Sequence, residues 1–177
     1  MLNSLIFLEH TTLRLKGMRG FTLVELMITL ALLAIVATIA VPNFMQFIRN
    51  NQVQAKADEL KSFLQYARGQ AVSKRKTYEV NFSDINNKIT LKQQGQTDIE
   101  RELEVKPATA TLRFKGNSNN LVEYLPNGTV TTSANISVCF ESESANGYVI
   151  EVKASGLTQR HARGHKDSDS SLTNCAL

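Results

Sequence analysis

The sequence predicts an α+β fold in which one long N-terminal helix packs against an antiparallel β domain. Three observations support this prediction. Residues 21–41 form an apolar run with a single carboxylate, Glu25. Residues 43–74 continue with apolar side chains at helical spacing, and from residue 78 onward apolar and polar residues alternate between turn-forming segments. We therefore expect a helix with an apolar first half and an amphipathic second half, followed by strands.

The apolar run is long enough to cross a membrane. At about 1.5 Å per residue it makes a helix of about 31 Å, close to the roughly 30 Å of bilayer hydrocarbon. Three basic residues precede it, Arg14, Lys16 and Arg19, and by the positive-inside rule they keep this end cytoplasmic. Because no small-residue cleavage site follows the run, we expect it to be retained as a single inner-membrane span, with the C-terminal domain in the periplasm.

Two residues of this segment are candidates for a role in assembly. An ionisable side chain in hydrocarbon is costly, so Glu25 should pair with a positive charge near the helix start. The alternative is a plain membrane anchor with an incidental glutamate. Pro42 removes one hydrogen-bond donor from the helix, so it either loosens the helix or marks its exit from the membrane.

Residues 20–25, Gly-Phe-Thr-Leu-Val-Glu, resemble the processing signature of type IV prepilins and type II secretion pseudopilins. The resemblance implies that a prepilin peptidase cuts between Gly20 and Phe21 and methylates the new amine of Phe21. It also implies that Glu25 pairs with the N-terminal amine of a neighbouring subunit. The residues before the cut would be a leader, which translation from Met18 would shorten.

The second half of the helix indicates which group of pilins and pseudopilins the chain resembles. Residues 57–72 contain a Leu-x-Tyr-Ala-Arg core and, with the Leu-Pro-Asn-Gly turn at residues 125–128, are similar to the GspH/FimT group of minor pilins and pseudopilins, which includes FimT, FimU and GspH. The resemblance implies a type IV pilin-like fold, with major and minor pilins as partners. The leading interpretation is a minor pilin that takes part in pilus assembly and in initiation at the tip. A GspH-type pseudopilin of type II secretion is the alternative.

We expect three parts in the chain: a cleaved leader over residues 1–20, an assembly helix over residues 21–41, and a periplasmic domain over residues 42–177. In that domain the helix should end near residue 75, and a basic tail should begin at residue 157. Strands are predicted over residues 78–82, 88–91, 111–115, 121–125, 129–132, 136–141 and 148–153. Turns are predicted at residues 83–87 and 126–128, and at Asn146-Gly147, which should close a hairpin between the last two strands.

Two cysteines, Cys139 and Cys175, follow the membrane segment. The periplasm is oxidising, which favours a disulfide between them over two free thiols. Such a bridge would tie the C-terminal tail to a strand and contribute roughly 3–4 kcal/mol of stability.

A basic segment follows the last predicted strand, and it contains Arg160, His161, Arg163, His165 and Lys166. Such a cluster could bind the phosphates of double-stranded DNA during natural transformation, with salt-sensitive affinity. Some FimT-like pilins bind DNA through a C-terminal Gly-Arg-x-Arg motif. This chain departs from it, since Leu-Thr-Gln follows Gly156. The alternative is a solvated loop opposed by Asp167 and Asp169.

No motif supports enzymatic activity or a cofactor. The sequence has no phosphate-binding loop, no dinucleotide-binding glycine pattern and no CxxC. His161 and His165 have i, i+4 spacing, but Gly164 and the adjacent positive charges disfavour a metal site. Ser168, His165 and Asp167 lack the scaffold that a catalytic triad needs. The formal net charge of +4 says little about partners, and we expect a structural protein.

Overall fold

The structure is a computed structural model that describes residues 20–82, 88–106, 109–116, 119–141 and 143–175. The basic residues of the leader, Met18 and the predicted turn at residues 83–87 lie outside the described residues. The chain divides into two compact units, Met1–Pro42 and Asn43–Leu177, and each is described by itself.

Helix α1 spans Leu23–Lys74, and its start is capped by Thr22. The Thr22 hydroxyl oxygen accepts a hydrogen bond from the backbone N–H of Glu25 at 3.2 Å. Threonine followed by glutamate three residues later has the spacing of a capping box, which satisfies backbone donors that a helix start leaves free. In the first unit the large apolar side chains of α1 are all exposed. By length and composition α1 is the one helix among the described residues that could cross a membrane.

In the second unit α1 is amphipathic, as predicted. Its buried residues recur three or four positions apart and so form one stripe: Val53, Ala57, Leu60, Phe63, Leu64, Ala67 and Ala71. The helix is assigned through Pro42 without interruption and ends at Lys74.

Two antiparallel four-stranded sheets follow the helix, which confirms the predicted α+β fold. The first sheet contains β1 (Tyr78–Asn81), β2 (Lys88–Gln93), β3 (Ile99–Glu104) and β5 (Leu121–Tyr124), in the order β3-β2-β1-β5. The second sheet contains β4 (Thr111–Lys115), β6 (Ala134–Phe140), β7 (Glu143–Val152) and β8 (Thr158–Arg160), in the order β4-β6-β7-β8.

The main core joins the apolar stripe of α1 to alternate residues of the strands. Its largest fully buried side chains in the strands include Tyr78, Leu91, Tyr124, Ile136 and Ile150. A second, smaller cluster contains Cys139, Val149, Leu172 and Cys175. Because Cys139 and Val149 alternate with the core residues of β6 and β7, this cluster lies on the other face of the second sheet.

Three details of the predicted strands were wrong. Asn146-Gly147 does not form a turn but lies inside β7. The glycine leaves room for the Cys139 sulfur, which would lie 2.6 Å from the position of a Cβ. Residues 129–132 form an isolated bridge between Val130 and Tyr124 instead of a strand. Strands β3 and β8 were not predicted.

Candidate functional site

The predicted cleavage site lies just before the capped start of α1. Phe21 is 81% exposed, and no atom lies within 4 Å of the position that a Cβ of Gly20 would occupy. The bond between these residues precedes the Thr22 cap, so it lies outside the helical hydrogen-bond ladder. A peptidase needs an accessible bond that lies outside a helix.

Glu25 lies in the first turn of α1, surrounded by exposed apolar side chains. Among the described residues it forms no ion pair. The helix N-terminus carries a partial positive charge that favours a carboxylate at this position. The capping spacing between Thr22 and Glu25 is the sequence signal that indicates this helix start.

Cys139 and Cys175 form a disulfide with an S–S distance of 2.04 Å, which confirms the predicted pairing. The bridge holds the C-terminal tail against the outer face of the second sheet. Ser137, on the same face of β6, donates a hydrogen bond to the carbonyl oxygen of Cys175 at 2.7 Å. Leu172 is buried beside the disulfide.

Two arginines of the basic segment bind partners within the chain at the surface, on the helix side of the second sheet. Arg160 forms an ion pair with Asp58 of α1 at 3.1 Å, and its guanidinium lies 4.6 Å from the centre of the Tyr148 ring. Arg163 donates hydrogen bonds to the Tyr148 hydroxyl at 3.0 Å and to the Gln54 side-chain oxygen at 3.3 Å. We call these five residues the Tyr148 clasp. It fastens the start of the tail to the helix.

The remaining residues of the basic segment point elsewhere. His161 is on the opposite side of the sheet from Arg160, where its Nε2 lies 3.1 Å from a carboxylate oxygen of Glu151. His165 Nδ1 lies 2.9 Å from the carbonyl oxygen of Arg163. Lys166 is exposed. The structure therefore brings Arg160 and Arg163 together and separates both from His161.

Asp167 stabilises a turn in the tail. Its carboxylate accepts hydrogen bonds from the hydroxyl of Ser170 at 2.6 Å and from the backbone N–H groups of Asp169 and Ser170. These bonds lower the pKa of Asp167, and the bond from the Ser170 hydroxyl has the largest effect. The described residues contain no group of three or more His, Cys, Asp and Glu side chains that could hold a metal ion.

A groove lies between α1 and two turns, and residues of the Leu-x-Tyr-Ala-Arg core and of the Leu-Pro-Asn-Gly turn line part of it. Arg68, the last residue of the Leu-x-Tyr-Ala-Arg core, donates to the carbonyl oxygens of Gly128 at 2.9 Å and Ser155 at 3.4 Å. Gly128 ends the Leu-Pro-Asn-Gly turn. Gly156 has φ +76° and packs so closely that a Cβ there would overlap the Gly128 carbonyl oxygen. The groove has a volume of about 480 Å³. Both motifs are visible in the sequence, but their contact joins residues 60 positions apart and no local pattern indicates it.

Two family models match the chain. The model described as Type II transport protein GspH matches residues 56–156, which is more than half of the chain. The model described as prokaryotic N-terminal methylation motif matches residues 15–41. The groove motifs lie in the first match, and the Gly20–Phe21 bond and Glu25 lie in the second.

Similar proteins come from pili and from type II secretion. The type IV major pilin protein PilA of Myxococcus xanthus is 54% identical over 41 residues, which are 23% of this chain and 19% of that protein. The matched segment thus spans about a fifth of that relative.

Solved structures share the fold. The type IV minor pilin FimU of Pseudomonas aeruginosa is 25% identical, with a TM-score of 0.57 over 73% of this chain and 98% of FimU. The minor pseudopilin EpsH of the Vibrio cholerae type 2 secretion system is 13% identical, with a TM-score of 0.53 over 66% of this chain and 99% of EpsH, and shows the shared fold alone. Pilins and pseudopilins are structural, non-enzymatic proteins. The chain therefore belongs to the GspH family and is a type IV minor pilin or pseudopilin of the GspH/FimT/FimU type.

Proposed function

We propose that this chain is a minor pilin of a type IV pilus that is cut after Gly20, methylated on Phe21 and inserted into the filament through α1. The observation that carries this proposal is the exposed apolar surface of α1. The large apolar side chains of the helix from Leu23 to Phe47 are exposed, so they would face water in an isolated molecule. Such a surface requires lipid before assembly and the helices of other pilins after it.

Glu25 supplies the specificity of this packing. Cleavage creates an amine on Phe21, one residue before the Thr22 cap, and a neighbouring subunit's Glu25 is the carboxylate that would meet it. A buried pair of opposite charges fixes the register of two helices more than it adds stability. Because an unpaired carboxylate in hydrocarbon is costly, subunits that dock out of register are rejected. The domain of residues 42–177 then lies in the periplasm and forms lateral contacts.

The Glu25→Ala variant tests this mechanism. The variant should still insert into the membrane and be processed, but it should be missing from filaments sheared off the cell surface. Thr29→Ala is the matched control, because Thr29 lies one turn further along the same helix and only bonds the backbone of Leu26. Normal incorporation of the Glu25→Ala chain would refute the role of the carboxylate.

The similarity to FimU and PilA, both named as type IV pilins, supports a pilus over a secretion system. As a subunit that starts filaments at the tip, the chain should control how many pili form. Deletion of its gene should reduce the number of surface pili and leave type II secretion of exoproteins intact. Loss of secretion with normal piliation would assign the chain to the secretion system instead.

Binding of double-stranded DNA by the basic segment is a second candidate function, and the exposure of Lys166 favours it. Arg160 and Arg163 are held in the Tyr148 clasp, so Lys166 is the side chain to test first. Lys166→Ala should weaken DNA retardation and lower the salt slope by about 0.9, as for one lost phosphate contact. Lys76→Ala is the control, because Lys76 is an exposed lysine two residues beyond the end of α1. No retardation at about 50 mM salt would exclude this function.

A further inference from the structure

The unit Asn43–Leu177 begins with exposed apolar side chains of its own. Phe44 is 61% exposed and Phe47 is 60% exposed, and Met45 between them is also exposed. The sheets do not cover this stretch, because the first buried residue of α1 is Val53. Exposed apolar side chains that are contiguous indicate a lipid or protein partner.

Arg49 is the first charged residue of α1 after Glu25, so residues 26–48 carry no charge. As a helix these residues rise about 35 Å, which is more than the roughly 30 Å of bilayer hydrocarbon and less than the roughly 40–45 Å of the whole bilayer. With Glu25 at the cytoplasmic edge of the hydrocarbon, Arg49 therefore reaches the headgroup layer of the opposite leaflet. Phosphates lie in that layer, and the long arginine side chain adjusts its depth to reach them.

The hairpin formed by β6 and β7 has its closed end beside Arg49. The Arg49 guanidinium lies 4.8 Å from the centre of the ring of Phe140, the last residue of β6. Tyr148, further along β7, donates a hydrogen bond to Gln54, which lies five residues further along α1 than Arg49. The hairpin therefore runs along the helix, and its closed end is the part nearest to Phe47.

The charges at this end of the domain match a phospholipid headgroup. Arg49 is exposed and forms no ion pair with any described residue. Its contact with the Phe140 ring engages no acceptor oxygen, and a guanidinium has five N–H groups, so donors remain for two oxygens of a phosphate. Glu141 and Glu143, at the closed end of the hairpin, are also exposed. Their carboxylates attract the ammonium group of a zwitterionic lipid and repel an anionic one.

We propose that, before assembly, the closed end of this hairpin rests on the headgroup layer of the periplasmic leaflet, where Arg49 binds the phosphate of a zwitterionic phospholipid. Phe44 and Phe47 lie on the acyl-chain side of this contact, and Phe140 lies at the depth of the phosphates. The contact determines which end of the domain faces the membrane and leaves the other surfaces accessible to other pilins. The proposal rests on the proposed function, because it requires α1 in a membrane, and it adds a lipid partner for the domain.

Fluorescence of a single tryptophan, measured with the full chain in lipid nanodiscs, tests the contact. The chain has no tryptophan, so Phe140→Trp introduces one probe and keeps an aromatic ring beside Arg49. Val72→Trp is the control probe, because Val72 is exposed and lies about 35 Å further along α1 than Arg49. The discs contain phosphatidylcholine and a minor fraction of the same lipid with a nitroxide on its headgroup, which quenches a nearby tryptophan.

The Phe140→Trp probe should be quenched at least about threefold more strongly than the Val72→Trp probe, because the second probe lies far from the headgroups. Adding Arg49→Ala to the Phe140→Trp chain should lower the quenching to about half or less, because alanine cannot bind a phosphate. Arg49→Lys should keep most of the quenching, since lysine also binds phosphates. Arg75→Ala removes an exposed charge just beyond the other end of α1 and should change nothing.

Nanodiscs of a galactolipid, which has no phosphate, distinguish binding of a phosphate from a purely structural role of Arg49. The same nitroxide lipid is added to them as a minor component. In these discs Arg49→Ala should not change the quenching of the Phe140→Trp probe, because the arginine has almost no phosphate to bind. A loss of quenching that is equal in both lipids would mean that Arg49 acts only through its contact with the ring.

Two other results would overturn the proposal: equal quenching of the two probes, or no effect of Arg49→Ala in phosphatidylcholine. Co-elution of the chain with the discs is measured in each case. A chain that enters the discs with an unquenched Phe140→Trp probe refutes this contact alone and leaves the filament role of Glu25 to its own experiment. A chain that stays outside the discs contradicts the membrane placement on which both proposals rest.

Discussion

Removal of the disulfide should destabilise the domain by an amount that follows from its loop length. Cys139 and Cys175 are 36 residues apart in sequence. For a closed loop of this size the chain-entropy relation gives about 4 kcal/mol at 25 °C. The double variant Cys139→Ala and Cys175→Ala releases the tail, so Leu172 and Val149 also lose part of their packing.

Urea unfolding of the full chain in detergent measures this loss. The chain has no tryptophan and 4 tyrosines, so tyrosine fluorescence reports the domain. With a slope of about 2 kcal/mol per molar urea, a loss of 4 kcal/mol lowers the midpoint by about 2 M. Wild-type protein in reductant should show a similar shift.

Two further variants distinguish the effect of the closed loop on stability from the effect of side-chain packing. Leu172→Ala keeps the disulfide and should cost about 2–3 kcal/mol through lost burial alone. Ser168→Ala, at an exposed position of the same tail, should change nothing. A midpoint for the cysteine double variant within about 0.3 M of wild type would refute the idea that the bridge constrains the unfolded chain.

Three further effects follow from buried or strained groups. Gly156→Ala should lower the free energy of unfolding by more than about 3 kcal/mol, because the new Cβ would overlap a backbone carbonyl and φ is positive. Gly69→Ala should instead raise the free energy of unfolding by up to about 1 kcal/mol. Equal urea midpoints for the two variants would contradict this expectation. Tyr148→Phe should cost about 1–2 kcal/mol by removing the hydroxyl that Arg163 donates to, and unchanged unfolding would show that the clasp adds no stability. Burial raises the pKa of Tyr124 from 10.0 to about 12, so stability is fully present below pH 10 and falls by about 3 kcal/mol as the pH rises to 12. Tyr124→Phe should remove that pH dependence, and an unchanged alkaline slope would assign it to other groups.

The local pattern of apolar and polar residues was sufficient to predict the helix but not all of the strands. The apolar stripe of α1 recurs at helical spacing, so its end at Lys74 could be predicted. Strand β3 was not predicted, because its first four residues are exposed and three of them are charged, so apolar and polar residues do not alternate there. The strand is held by antiparallel pairing with β2 and by contacts with the helix, such as that between Arg101 and Tyr66.

Long-range contacts explain what the sequence could not predict at the tail. Asn-Gly is a strong turn signal, but Gly147 is a glycine for a different reason: the disulfide sulfur of Cys139 occupies the space beside it. The basic segment predicted phosphate binding because its charged residues are close together in the sequence. Arg163 instead contacts Gln54, 109 residues away, and no local pattern reports such a partner.

The most direct test of the proposed role is the mass of the N-terminal peptide of this chain in filaments sheared from the cell surface. We expect a peptide that begins at Phe21 and carries one methyl group on its amine, recovered from the filament fraction. A chain that keeps residues before Phe21, or one that is confined to the membrane fraction of piliated cells, would contradict its role as a filament subunit.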